Sequence, residues 1–188
     1  MSTEVWLVRH GETEWSADGR HTSTTELSLT AAGRAEAAAL RDRIDPADFA
    51  AVLSSPRVRA LQTAEGAGVP VDRVEVEPDL CEWRYGDYEG RTSEQIQTDR
   101  PGWTIWTGDP VGGETAAEVR ARARRVIARV MAIDGRVLLV GHGHALRVLA
   151  LTWLGLPTVD GAKLALGTAA ISVLGFESDE RALLRWSC

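Results

Sequence analysis

Three short stretches of this chain place cationic or nucleophilic side chains where an apolar run gives out. "VWLV" is followed by Arg9-His10-Gly11, "AVLS" leads through Ser55-Pro56 to Arg57 and Arg59, and "RVLLV" ends in Gly141-His142-Gly143-His144. Arginine's planar fork pairs bidentately with phosphate oxygens and keeps its charge at any working pH. A histidine can attack phosphorus through one ring nitrogen when the other is held as a donor, for instance to a backbone carbonyl. The glycine after each histidine is expected to let the backbone approach the ligand closely. Expelling an alkoxide also needs an acid, and Glu12, Glu14, Glu82 and Glu114 are the candidates. His21, His142 and His144 offer a competing reading as ligands of a metal.

The elements that must position these groups can be read from periodicity. Glu4–Val8, Ala51–Ser54, Val74–Glu77 and Arg136–Val140 read as strands, with Ala169–Phe176 and Ala182–Trp186 closing the chain around Ser178-Asp179. Helical spacing covers the alanine-rich stretch after Thr30 to Ile44, Val58–Ala67, and Thr115–Ile133, where Thr115 and Glu118 stand at capping-box spacing. The run Ala145–Leu154 is apolar on nearly every side and reads as a buried helix. Arginines 120, 122, 124, 125 and 129 read as a solvated helix face. Alternating strands and helices predict an α/β fold with a mostly parallel central sheet flanked by helices in three layers. In such sheets ligands bind at the carboxyl ends of the strands, where all three cationic stretches fall. Any one of them alone has an ordinary surface or core reading; all three together require a coincidence.

Bulk properties narrow the class. The 188 residues suit one domain, and a net charge of −6 disfavours a general nucleic-acid binder, although a small anion can still bind in a local basic pocket. The longest nearly apolar run, Val148–Leu156, is about half of a bilayer span, and the N-terminus shows no secretory pattern, so a cytoplasmic protein without membrane association is expected. Cys81 and Cys188 stand too far apart in sequence to suggest a disulfide framework or a cysteine zinc site. Residues 78–113, rich in glycine, proline, charge and tryptophan, read as an excursion over the sheet edge with a short helix near Ser93–Asp99. Trp103 and Trp106 within it can wall a pocket or fill a core.

The stretches "LVRHGETEWS", "SSPRVRALQTA", "LCEWRYGDYEG", "GGET" and "VGHGHALR", in this order and over essentially the whole chain, resemble the histidine phosphatase superfamily, which includes the cofactor-dependent phosphoglycerate mutases. The resemblance implies a phosphoglycerate mutase-like fold over residues 1–188, with the excursion capping the active site. It makes His10 the nucleophile that becomes phosphohistidine, and Arg9, Arg59 and His142 the rest of the phosphate pocket. Glu82 becomes the proton donor. Ser16, Thr22, Ser23, Trp83, Arg84, Tyr85, Gly143 and His144 fall at substrate-contacting positions. No metal or other cofactor is implied.

Several details are closer to the sedoheptulose-bisphosphatase-like branch and to bacterial acid phosphatases than to the mutases. The excursion lacks the mutases' paired arginines, and Ser16 and His144 stand where mutases carry asparagine. Ser23 replaces the glycine usual in both groups. The expected activity is hydrolysis of a small phosphorylated metabolite. Phosphoglycerate mutase is the alternative, and an idle phospho-ligand binding module is a more distant one. A small phosphorylated substrate is the expected partner, and homodimerisation is left open.

Overall fold

Val137–Val140 have almost no solvent exposure on either side, and their side chains divide between two cores. Val137 and Leu139 pack into one apolar cluster, Leu138 and Val140 into the other, as the two-residue period of a strand requires when both faces are covered. The computed structural model describes residues 3–188. Its strands are β1 (Val5–Arg9), β2 (Phe49–Ser54), β3 (Val74–Val76), β4 (Arg136–Gly141), β5 (Ile171–Glu177) and β6 (Glu180–Arg185). They form a six-stranded sheet in the order β3-β2-β4-β1-β5-β6. The helices are α1 (Glu14–Ala17), α2 (Ala31–Ala39), α3 (Val58–Gly66), α4 (Ser93–Asp99), α5 (Ala116–Met131) and α6 (Gly143–Trp153). Residues of α5, α6 and the excursion build the first cluster, and residues of α3 and the segment after α2 build the second. The protein is thus an α/β fold with a sheet between helical layers. Among the described residues, no helix is long and apolar enough to cross a membrane.

The sheet is mixed. β3, β2, β4 and β1 run parallel, whereas β5 is antiparallel to β1 and β6 to β5. The two-residue connection at Ser178-Asp179 can join only antiparallel strands, because a parallel pair needs a long crossover. β5 begins at Ile171 rather than Ala169, since Ala169 adopts a positive φ of 49° and donates its N–H to the Arg9 carbonyl at 3.0 Å. α2 also stops short of Ile44, tightening into a 3₁₀ turn at Leu40–Asp42.

The arginine face of α5 holds one exception. Arg124 and Arg125 are exposed, but Arg122 is buried, because it lies on the helix stripe of Val119, Ala123, Val126 and Val130. It pairs with both carboxylate oxygens of Glu114, through Nε at 2.9 Å and Nη2 at 3.1 Å. Its remaining donors reach the carbonyls of Asp79 and Cys81, each at 2.7 Å, and of Glu82 at 3.1 Å. One side chain thereby fixes the path of the chain into Glu82. Removing one member of a buried pair strands the other charge, so Arg122→Ala is expected to lower the unfolding free energy by about 3–5 kcal/mol. Arg125→Ala, which breaks the exposed pair with Asp79, should cost far less, because water and salt screen that pair. Urea unfolding of the two variants checks the contrast.

Candidate active site

The parallel pairing of β1 with β4 puts Arg9 beside Gly141 and brings the two following histidines together. The His10 N–H donates to the Gly141 carbonyl at 2.9 Å, and the rings of His10 and His142 lie edge to face with centroids 5.1 Å apart. His10 Nδ1 lies 2.8 Å from the carbonyl oxygen of Gly11, which can only accept, so Nδ1 carries the proton. That leaves a lone pair on Nε2, which has no partner among the described residues, and His10 lines a cavity of about 250 Å³. Burial and the charges of Arg9 and Arg59 hold its pKa down to about 3, so the imidazole is neutral.

Arg9 lies across the same cavity. Its Nη1 donates to the Leu166 carbonyl at 2.6 Å, and its Nε is buried without a partner. Burial lowers its pKa from the usual arginine value, and no carboxylate within salt-bridge distance compensates it among the described residues. On the same wall sits Glu82, at the N-terminus of α6. Its Oε1 accepts from the N–H groups of Trp83 and Ala145, each at 2.8 Å, and its Oε2 from that of His144 at 3.1 Å. The carboxylate thus satisfies amides that a helix start leaves open, while the N-cap residue His142 makes no side-chain cap. Of the four candidate acids, Glu82 alone lines the cavity. Glu114 is taken by Arg122, and Glu12 accepts from the Thr30 hydroxyl at 2.7 Å.

Arg59 and His142 stand one layer back and do not line the cavity. Both are fully buried. Arg59 Nε donates to His142 Nδ1 at 3.3 Å, and its other nitrogens reach the carbonyls of Thr22, Ser23 and Thr25 at 3.0–3.3 Å. With Nδ1 accepting, His142 Nε2 is the donor to Ser55 Oγ at 2.8 Å. Loop carbonyls, the His142 ring and Ser55 thus hold both side chains directly behind His10. His142 is held well below the ordinary histidine pKa, first by burial and then by Arg59.

The substrate-contact candidates divide. Ser16, Thr22, Tyr85, Gly143 and His144 line the cavity. Ser23 does not: its hydroxyl donates to Glu89 at 2.5 Å, and Glu89 also collects the N–H groups of residues 23 to 25. Trp83 is turned into the core with Nε1 on the Glu114 carbonyl at 2.7 Å, and Arg84 is exposed away from the cavity. Trp103 belongs to the core, whereas Trp106 is half-buried beside His144, with centroids 5.1 Å apart. Gly11 approaches protein rather than ligand, since a Cβ there would lie 2.5 Å from the Gly33 carbonyl oxygen. Gly143 packs against the Arg9 guanidinium instead.

The three histidines of the metal reading do not converge as ligands. His142 is tied to Ser55 and Arg59, His144 Nδ1 shares a 2.6 Å hydrogen bond with Tyr85 Oη, and His21 bonds Ser93 at 3.2 Å. Among the described residues no three His, Cys, Asp or Glu side chains gather as a metal site. His21, Ser93 and Arg147 do join the cavity wall, a role the sequence reading did not give them. For Arg147 a signal existed: it stands four residues after Gly143 and three after His144, on one face of α6.

The arrangement offers a neutral imidazole with a free lone pair, a desolvated guanidinium and a carboxyl group around one small polar cavity. Such a set can clamp an anion, attack it and exchange a proton with it. Comparison with known proteins agrees with this constellation. The chain is 42% identical over 181 residues to an acid phosphatase of Mycobacterium tuberculosis, covering 94% of this chain and 88% of the other. It is 35% identical over 182 residues to sedoheptulose 1,7-bisphosphatase of Saccharomyces cerevisiae, covering 80% and 67%. The solved structure of an open reading frame product of Mycobacterium tuberculosis superposes with a TM-score of 0.92 at 38% identity, covering 98% of this chain and 97% of that one. Residues 5–188 match the sequence pattern of one family, and the chain belongs to it: the histidine phosphatase superfamily, branch 1.

Proposed function

We propose that the chain is a phosphomonoesterase that hydrolyses a small phosphorylated metabolite through a phosphohistidine on His10. The observation that carries this reading is His10 itself: Nδ1 is fixed on the Gly11 carbonyl, and Nε2 lacks a partner on the wall of a cavity shared with Arg9 and Glu82. The phosphatase names of the two relatives support it.

In the first step the Nε2 lone pair forms a bond to phosphorus and the ester P–O bond breaks. Its electron pair leaves on the alkoxide, which takes a proton from Glu82. In the second, Glu82 accepts a proton from water, the resulting hydroxide attacks phosphorus, and the P–N bond returns its pair to His10. Arg9 supplies direct countercharge to the phosphoryl oxygens. Arg59 and His142, packed behind His10, complete the phosphate pocket in this reading. The excursion at 78–113, which contributes Glu82, Tyr85 and Ser93 to the wall, caps the site.

His10→Ala is expected to reduce phosphate release from alkyl and aryl phosphates alike by roughly 10³-fold or more, and to abolish the acid-labile phosphoenzyme trapped by rapid quenching. Unchanged release would remove the nucleophile assignment. Glu82→Gln should slow an alkyl phosphate by about 10²–10⁴-fold, yet slow p-nitrophenyl phosphate much less, because that leaving group departs without a proton.

The buried imidazoles also link stability to pH. The pKa values of His10 and His21 are lowered to about 3 and about 4 from 6.5, and those of His142 and His144 lie well below 6.5, burial being the leading cause for each. Between these values and 6.5 the unfolded chain binds protons that the native chain refuses, so the unfolded state gains as pH falls. Stability from these groups is complete above about pH 6.5 and is lost on acidification, at up to about 1.4 kcal/mol per pH unit for each group. Urea unfolding between pH 7.5 and 5 should show that slope, and His10→Ala should reduce it by the share of one group.

A further inference from the structure

Glu89 carries a half-buried carboxylate that the proposed reaction does not use. It follows the 3₁₀ turn Gly86–Tyr88 within the excursion. The backbone around it is fastened to the loop after β1: the His21 N–H donates to the Arg91 carbonyl at 2.9 Å, and the Gly90 N–H to the His21 carbonyl at 2.8 Å. Its side chain gathers the same loop. Oε1 accepts the N–H groups of Ser23, Thr24 and Thr25 at 2.8, 3.1 and 3.0 Å, and Oε2 accepts the Ser23 hydroxyl at 2.5 Å. Burial opposes its ionisation, but the hydrogen bonds from Ser23 and Thr25 outweigh it and hold the pKa below the ordinary carboxylate value. Ser23 Oγ accepts in turn from the Tyr85 N–H at 3.3 Å.

The opposite edges of the same peptide units face Arg59. The peptide that joins Thr22 to Ser23 gives its N–H to Glu89 and its carbonyl to Arg59 Nη2 at 3.3 Å. The peptide that joins Ser23 to Thr24 does the same, with its carbonyl 3.2 Å from Nη2. Two peptide planes are thus gripped between a carboxylate and a guanidinium, as an ion pair relayed through amides. Each hydrogen bond polarises its peptide and strengthens the bond on the other edge. The Thr25 carbonyl takes Nη1 at 3.0 Å, and His142 Nδ1 takes Nε at 3.3 Å. A guanidinium has five N–H donors, so one on Nη1 is left over, and the carbonyls that Glu89 sets decide where it points. In the proposed reaction that donor is what Arg59 has to offer a phosphoryl oxygen.

We infer that Glu89 and Ser23 are positioning residues for phosphoryl transfer, which aim the Arg59 fork through the peptide units 22–23 and 23–24. The inference rests on the phosphohistidine reading above. The Ser23 hydroxyl, at a place where the resembled families carry glycine, adds a side-chain bond to this latch and ties it to the Tyr85 backbone.

The test is a double-mutant cycle read by kcat/KM for p-nitrophenyl phosphate and by the calorimetric affinity for inorganic phosphate, with urea unfolding to confirm that each variant is folded. Glu89→Gln, which puts an amide where the loop N–H groups address a carboxylate, should lower kcat/KM by about 10–100-fold, the scale of a displaced clamp. Phosphate binding should weaken by about tenfold. An alkyl phosphate should be slowed by the same factor, unlike in Glu82→Gln, because a misaimed Arg59 acts on the phosphoryl group and not on the leaving oxygen. In an Arg59→Met background, Glu89→Gln should change either quantity by less than about twofold. A smaller fraction of active protein would not give this pattern, since a dissociation constant does not depend on how many sites are intact. Equal losses in both backgrounds, or unchanged kcat/KM and phosphate affinity in folded Glu89→Gln, overturn the inference. Should Glu89→Gln or Arg59→Met fail to fold, Ser23→Ala decides, because it removes one hydrogen bond to Glu89 and leaves the amides in place: weaker phosphate binding supports the inference and equal binding overturns it. Should the unmodified protein bind phosphate but release none from p-nitrophenyl phosphate, the hydrolase reading fails by itself, and the phosphate affinities alone decide the role of Glu89. An unmodified protein that neither binds phosphate nor hydrolyses the ester overturns both.

Discussion

Arg9 and Arg59 are buried guanidinium groups whose hydrogen-bond partners are carbonyl oxygens and an imidazole, with no carboxylate in contact among the described residues. Taking such a charge out of water is costly, and a carbonyl dipole offsets less of that cost than an opposing ion does. Burial first, and then the positive potential left at the strand ends, keeps His10 and His142 neutral: a further positive charge would be repelled by Arg9 and Arg59 at His10 and by Arg59 at His142. It also leaves Arg9 Nε without a partner at the cavity. An anion entering that space restores the electrostatic balance, which makes recognition and the protonation state of the nucleophile two results of one interaction.

Holding that imbalance needs a rigid surround, and the sheet supplies it. The β1–β4 register places His10 beside His142, and β2, paired to the other edge of β4, delivers Ser55 to His142. The Thr63 hydroxyl on α3 accepts the Gly11 N–H at 3.0 Å, anchoring the loop after His10. From the opposite face, the Arg122–Glu114 pair ties α5 to the carbonyls of residues 79, 81 and 82. The excursion therefore enters the site on a path fixed by a buried ion pair, although its own segments are short and irregular.

Much of this was legible in the sequence, and the part that was not has a common cause. Strand ends are readable because a two-residue apolar period stops visibly, so Arg9, His10 and His142 could be set at one sheet edge before any coordinates. A short helix near Ser93–Asp99 was also expected within the excursion, and α4 spans those residues. The contacts behind the site were not readable. That the Arg59 fork also holds the carbonyls of residues 22, 23 and 25 depends on how a loop folds over it, and no periodicity records that. Ser23 is a second instance, since its hydroxyl is fixed by Glu89, which lies 66 positions away. Arg122 misled for a related reason: composition marks α5 as charged, while the helical stripe that buries one of its arginines is a matter of position rather than type.

The α6 N-terminus shows how the fold divides two tasks that other α/β proteins combine. A helix starting at a strand end ordinarily holds an anion on its free amides. In this chain Glu82 takes the N–H groups of His144 and Ala145, so those amides are committed to a carboxylate from the protein. In the proposed mechanism phosphoryl recognition then falls on side chains, and Arg9 is pressed against Gly143 at the same helix end. The exchange has a mechanistic use. In the proposed mechanism Glu82 is the proton donor, and the two amides fix its carboxyl group within hydrogen-bond distance before substrate arrives. Were the amides to hold the phosphate instead, the carboxyl would lose the interactions that fix it, and the proton donor would have to be ordered by the substrate alone.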